Sequence, residues 1–156
     1  MLRLIYLLHQ VYLWFVRPLT LGVRVMLIRD GQVLLIRQTY MDGWFMPGGG
    51  LHKRETPEEA ARREVREEVG ADLAEIRLLG AYSNFKELKS DHTFVFFSKD
   101  FTLSGLHDRE VAEMHFFPLD ALPPGLKLGH RQKLEEYSRD PSLGEGGAAF
   151  PLVGEW

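Results

Sequence analysis

Three glutamates, Glu64, Glu67 and Glu68, crowd into five positions of the stretch "ETPEEAARREVREEVGA". At helical spacing they stand at i, i+3 and i+4, so they project from one arc of one face, a turn apart. Converging carboxylates offer the hard oxygen donors that Mg²⁺ or Mn²⁺ takes. The same residues also suit a solvated face laced with ion pairs. Glu58–Arg62 and Glu59–Arg63 have the favourable i,i+4 order, and like-charge crowding on an exposed helix costs only ~0.2–0.5 kcal/mol per pair. The helix by itself does not choose between these readings.

The glycines before it add weight to the metal. Gly48, Gly49 and Gly50 form a loop whose bare backbone can approach a ligand closely. That loop feeds the same helix, so it can supply a carbonyl ligand and leave room for a phosphate chain. Mg²⁺ usually bridges one or two carboxylates to substrate phosphates rather than sitting in an all-protein cage. The chemistry suggested is metal-assisted attack on a phosphorus centre.

The elements that must position these groups are readable from local signals. Thr56, Pro57, Glu58 and Glu59 make a capping box with proline at the first helical position. Gly70 suits the left-handed stop, so the helix is expected over Pro57 to Val69. Upstream, "LGVRVMLI" alternates, with Val23, Val25 and Leu27 on one face and Arg24, Met26 and Ile28 on the other. Asp30-Gly31 then links it to "QVLLIRQ" as a hairpin, and "GWFMPGGG" reads as a short strand running into the glycine loop. Downstream, "EIRLLGAYSNF" and "HTFVFFSKDF" read as strands. "AEMHFFPLDAL" reads as a strand entering a short helix, and "GHRQKLEEYSRD" as a helix. Strands interleaved with a few helices imply a mixed sheet covered by helices.

A chain of 156 residues suits a single domain of residues 20–140 with terminal additions at 1–19 and 141–156. A formal net charge of −3 gives no broad nucleic-acid footprint. The absence of cysteine excludes disulfides, cysteine nucleophiles and thiolate metal sites, and fits a reducing cytoplasm. Leu2 to Val16 is strongly apolar but short for a ~20-residue membrane span. Read as a helix, it carries one polar stripe of Arg3, Gln10 and Arg17. Such a helix packs on its own domain or on a second subunit in a homodimer; a membrane-surface contact is the alternative. The tail, "PSLGEGGAAFPLVGEW", is rich in glycine and proline.

The acidic stretch resembles the Nudix box, G-x5-E-x7-R-E-U-x-E-E-x-G-U, with U a bulky aliphatic. Gly49, Glu55, Arg63, Glu64, Val65, Glu67, Glu68 and Gly70 fill eight of its nine specified places over 23 residues; Ala71 is smaller than the usual last residue. The resemblance implies an α/β/α sandwich around a mixed sheet. It also implies hydrolysis of a diphosphate linked to a nucleoside or similar group, by water substitution at phosphorus.

Carried over by position, Glu64, Glu67 and Glu68 would hold the divalent metal, with the main-chain carbonyl of Gly48 as a further ligand. Glu64 or Glu67 would orient or deprotonate the attacking water. Arg63 would orient the carboxylates, and Glu55 would anchor the loop. A further acid often comes from outside the box. Glu110 and Glu113 are the candidates, Glu113 being taken as the ligand, with Glu87 and Asp91 as weaker options. Arg37, Tyr40, Trp44, Gly49 and Phe85 are the candidate substrate contacts, through phosphate pairing, base stacking and close backbone approach; for the side chains among them, a packing or surface role is the simpler alternative. Subfamily markers are missing: position 87 is Glu rather than proline, and residues 87–89 read Glu-Leu-Lys with no tyrosine. The expected substrate is thus a nucleoside triphosphate or another nucleoside-diphosphate compound. Removal of pyrophosphate from RNA 5′ ends and a catalytically silent ligand-sensing domain are the alternatives.

Overall fold

The structure is a computed structural model and describes residues 19–85, 90–105, 108–140 and 152–156. The expected N-terminal helix, Glu87 and most of the tail lie outside the described residues.

Strand β1 (Leu19–Arg29) turns at Asp30 and Gly31 into β2 (Gln32–Gln38). Both turn residues have positive φ, 51° and 72°, the geometry that a two-residue hairpin with the right-handed twist of its strands requires. β3 (Met41–Phe45) follows, then the glycine loop and helix α1 (Pro57–Val69). The remaining elements are β4 (Ala71–Leu73), β5 (Arg77–Asn84), β6 (Ser90–Ser98), β7 (Phe101–Leu103), β8 (Val111–Pro118), helix α2 (Leu128–Arg139) and β9 (Leu152–Glu155).

The main sheet runs β3-β2-β1-β6-β5-β9, with β8 also paired to β2. It is mixed: β1 lies parallel to β6 and β9 parallel to β5, while the other pairs are antiparallel. β4 and β7 form a separate antiparallel pair. One face packs Val23, Val25, Leu27, Leu34 and Ile36 against Ala60, Ala61, Val65 and Val69 of α1. The opposite face packs Met26, Ile28, Val33 and Leu35 against Leu134 and Tyr137 of α2. Both faces of β1 are therefore covered, and the alternation in its sequence separates two cores rather than core from solvent.

Helix α1 forms where its caps dictate. The Thr56 hydroxyl accepts from the Glu59 amide at 3.2 Å, and the Glu59 carboxylate accepts from the Thr56 amide at 2.8 Å. Gly70 closes the helix at φ 64° and donates to Arg66 O at 3.1 Å. Because Glu59 serves the cap, the expected Glu59–Arg63 pair does not form, and Arg63 turns to other carboxylates. Thr56→Ala removes the hydroxyl that caps Glu59 N–H and keeps the Thr56 amide's bond to the Glu59 carboxylate; it is expected to cost about 1 kcal/mol and lower Tm by about 2–4 °C. An unchanged melting curve would mean the hydroxyl cap contributes nothing.

Three local readings differ. Residues 119–127 form turns, not the expected short helix, and α2 begins only at Leu128. Ala71 opens β4, fully buried opposite Leu103, in a corner also filled by Leu73 and Phe101, so the small residue sits in a packed site. The tail contributes β9 to the sheet edge beside β5, a long-range pairing that its composition conceals.

Candidate active site

Helix α1 and the glycine loop meet over the end of β1. The loop is tied down by its backbone: Val23 N–H donates to Gly49 O at 2.8 Å, Val25 N–H to Pro47 O at 2.9 Å and Leu51 N–H to Leu21 O at 3.0 Å. Gly48 has φ 137° and donates its N–H to Glu68 Oε2 at 2.7 Å. Its carbonyl accepts from the Arg24 guanidinium. Gly49 lies so close to α1 that a Cβ there would stand 2.5 Å from Glu64 Oε2.

Arg63 gathers the acids. Its Nε and Nη2 donate to the two Glu55 oxygens at 2.7 and 2.9 Å, a bidentate fork. Its Nη1 donates to Glu64 Oε1 at 2.6 Å and Glu67 Oε2 at 3.2 Å, and Nη2 also reaches Gly50 O at 3.0 Å. That fork, with the His52 amide, holds the Glu55 carboxyl down at about 2. The same contacts keep Arg63 firmly protonated. Glu68 is the buried member. Burial pushes its pKa up to about 7, against the pull of the Gly48 amide and Arg24 and with the help of neighbouring Glu64. Gln38 Nε2 donates to its other oxygen at 3.4 Å.

The structure thus brings together Gly48, Gly49, Arg63, Glu64, Glu67 and Glu68. It puts other sequence candidates elsewhere. Glu113 lies opposite Arg37 in the β2–β8 ladder, and the two side chains pair at 3.4 Å. They share the α2-side face with His115, Phe117 and Trp44, whose indole lies edge-on to Phe117 at 4.8 Å and under Arg37 at 5.5 Å. Met114 and Phe116 take the α1 side of β8. Tyr40 is exposed, and its hydroxyl bonds Glu110; burial first, then Glu110 and Glu68, push its pKa up. Tyr40 thus stands between Glu110, which it bonds, and the influence of Glu68, while Glu113 pairs with Arg37. Phe85 is exposed with its ring edge toward His92 at 6.1 Å.

Two contributors escaped sequence reading. Arg24 reaches the loop from a position that alternation assigns only to the second face. His130 is buried on α2, and its Nδ1 accepts from Met46 N–H at 3.1 Å.

The profile of the NUDIX domain matches residues 18–138, most of the chain. The protein belongs to the NUDIX domain family. A MutT NUDIX hydrolase from Burkholderia pseudomallei is 26% identical and superposes with a TM-score of 0.68 over 76% of this chain and 97% of its own. A NUDIX hydrolase from Nitrosomonas europaea, 21% identical, has a TM-score of 0.70 over 88% of this chain and 78% of its own, a likeness of fold. In sequence, the chain is 49% identical over 57 residues to an RNA pyrophosphohydrolase of Xylella fastidiosa (strain 9a5c), covering 36% of this chain and 30% of that protein. The corresponding protein of Stutzerimonas stutzeri (strain A1501) is 47% identical over 59 residues, 37% of each chain. The chain spans about a third of the length of the curated relatives it matches.

NUDIX proteins generally use divalent cations, and the donor set here fits one. All donors are hard oxygens, Glu64 and Glu68 are largely removed from solvent, and Glu68 is bonded to the Gly48 amide. Among the described residues no three acidic or imidazole side chains stand ready-spaced around one point. Glu64 and Glu67 are turned onto Arg63, so seating a cation requires their tips to swing from the guanidinium.

Acid should act on His130. Its pKa is held well below the usual histidine range, first by burial and then by Arg24 and Lys127. Below pH ~6.5 the unfolded imidazole takes a proton and the native one does not, so stability falls as pH falls. Glu68, protonated more readily in the native state, works the other way over the same interval, so the comparison must isolate the histidine. His130→Asn retains an acceptor for Met46 N–H. The stability difference, wild type minus variant, is expected to shrink by up to ~1.4 kcal/mol per pH unit below 6.5. Parallel pH profiles in urea unfolding would contradict a neutral, buried His130.

Proposed function

We propose that the protein is a divalent-cation-dependent pyrophosphohydrolase that cleaves a diphosphate linkage in a nucleoside triphosphate or another nucleoside-diphosphate compound, with Mg²⁺ as the working metal and Mn²⁺ as a substitute. The observation that carries this reading is one helix face beside a glycine loop, with Glu64 and Glu67 gathered by Arg63 and Glu68 fixed by the Gly48 amide. A divalent cation bound there would neutralise charge on the nonbridging phosphate oxygens and acidify water.

The residues of the chain do the rest. Glu64, Glu67 and Glu68, with the Gly48 carbonyl, would hold the cation. Glu67, the most exposed of the three, has the freedom to orient an attacking water or take its proton. Arg63 aims Glu64 and Glu67 through its Nη1 bonds, while its fork to Glu55 ties the loop to the helix. The glycine loop lets phosphates approach the backbone without side-chain obstruction. Glu110, beside Tyr40, is the better placed of the two outlying acids for a supporting role. We assign the protein to the cytoplasm; among the described residues no helix is long and apolar enough to cross a membrane.

The test is a panel of nucleoside triphosphates, oxidised nucleotides, nucleotide sugars, ADP-ribose, dinucleoside polyphosphates and triphosphorylated RNA, each with Mg²⁺ or Mn²⁺. Turnover of at least one nucleotide compound is expected, and none on any would favour a ligand-sensing domain. A second reading, removal of pyrophosphate from RNA 5′ ends, has in its favour that the curated relatives are RNA pyrophosphohydrolases. It ranks below the first because the chain carries a net charge of −3.

A further inference from the structure

Beside the glycine loop lies a cavity of about 330 Å³, bounded by Thr20, Gly49, Gly50, Asp91, His92 and Trp156. Its size is that of a small-ligand site. Gly49 touches both regions: it lines this cavity, and it packs against the Glu64 carboxylate. A compound with its phosphates at α1 would therefore find the cavity within reach of its organic end.

The wall that closes the cavity comes from the far end of the chain. Parallel pairing of β9 with β5 carries the backbone to Trp156, whose N–H donates to Ser83 O at 3.0 Å. The indole then meets the His130 ring edge-on at 5.1 Å and Tyr82 at 6.3 Å. Position 129 is glycine, and a Cβ there would stand 2.5 Å from the indole nitrogen, so α2 leaves a fitted seat for this ring. His130 is itself anchored to Met46 of the glycine-loop approach. The same cavity is lined by polar groups able to meet ring edges: Asp91, bonded by the Thr20 hydroxyl, and His92, bonded to Ser83 at 2.9 Å.

We infer that Trp156 is a specificity-determining residue that stacks on the planar heteroaromatic ring of a nucleoside substrate in this cavity. The inference rests on the proposed reading that phosphates lie at α1. It selects, among diphosphates, those that bear a base. An indole in a fixed seat offers a π face at little entropic cost, and base–aromatic stacking is sequence-tolerant and strong enough to change affinity about tenfold or more.

The test measures binding rather than turnover, in the absence of divalent metal, by ¹H–¹⁵N NMR titration. The probes are adenosine, guanosine, cytidine and uridine 5′-monophosphates, with ribose 5-phosphate as the ringless control. In the wild type at least one monophosphate should bind more tightly than ribose 5-phosphate and shift the Trp156 indole resonance. Trp156→Ala should lose about tenfold of the base-dependent affinity while leaving ribose 5-phosphate unchanged. Trp156→Phe, which keeps an aromatic face and guards against misfolding, should retain most of it. Equal loss for base-bearing and ringless probes, no loss in Trp156→Ala, or no monophosphate binding to the wild type at millimolar concentration would each overturn the inference. A tryptophan-dependent preference in a protein that hydrolyses nothing would uphold the cavity assignment and sink the hydrolase reading.

Discussion

Glu67→Gln is expected to lower metal-dependent turnover on the order of 10²–10³-fold and leave the fold intact. The side chain is 55% exposed, and it accepts from Arg63 Nη1 at 3.2 Å. An amide of the same shape removes the charge without opening a cavity, and surface changes of this kind stay within about 0.5 kcal/mol. Glu64→Gln would be a less clean probe, since Glu64 is 14% exposed and packs on Gly49 and Arg63 together. The measurement is kcat at saturating Mg²⁺ alongside thermal unfolding. Retained turnover would remove Glu67 from the mechanism, and a collapsed melting curve would show that its role is structural.

Gly48→Ala has the largest expected effect on stability. At φ 137° an L side chain is strained, and its Cβ would stand 2.2 Å from Val23 O, 2.9 Å from Val23 C and 3.0 Å from Arg24 Cα. All three are backbone atoms of β1, so no rotamer change relieves the clash. Either the strand or the loop must move, and with the loop goes the Gly48 amide that fixes Glu68. A loss of about 3 kcal/mol or more is expected, a fall in Tm on the order of 10 °C, with activity lost in the surviving folded fraction. Gly31→Ala is the control. Its φ is 72° with nothing within 4 Å of the added methyl, so only the backbone penalty of roughly 1–2 kcal/mol applies. Similar melting temperatures for the two variants would mean the loop is not held as described.

The acidic face and both ends of α1 were legible because their determinants are local. Cap, proline, glutamate spacing and terminal glycine all lie within one helix and its flanks. Which of Glu110 and Glu113 faces Arg37 was not legible. Arg37 faces Glu113 but Gln38 faces Val111, so β8 has an extra residue at that point. One added residue exchanges the faces of a strand, and nothing in "REVAEMHF" marks it. Arg24 was hidden differently. Alternation identified its face, but not that α2 covers that face or that the guanidinium bonds the loop at Gly48 O. Trp156 and His130 depend on β9 meeting β5 and α2 across the whole chain, after a segment whose composition reads only as tail.

The central claim is that this carboxylate face serves metal-dependent hydrolysis of a diphosphate linkage. Its most direct test is hydrolysis of the best substrate from the panel by the wild type in H₂¹⁸O, with Mg²⁺ or with excess chelator, followed by ³¹P NMR of the products. One ¹⁸O should enter one phosphorus-containing product, only when the divalent cation is present. Turnover that persists in chelator, or no ¹⁸O at phosphorus, would contradict the claim.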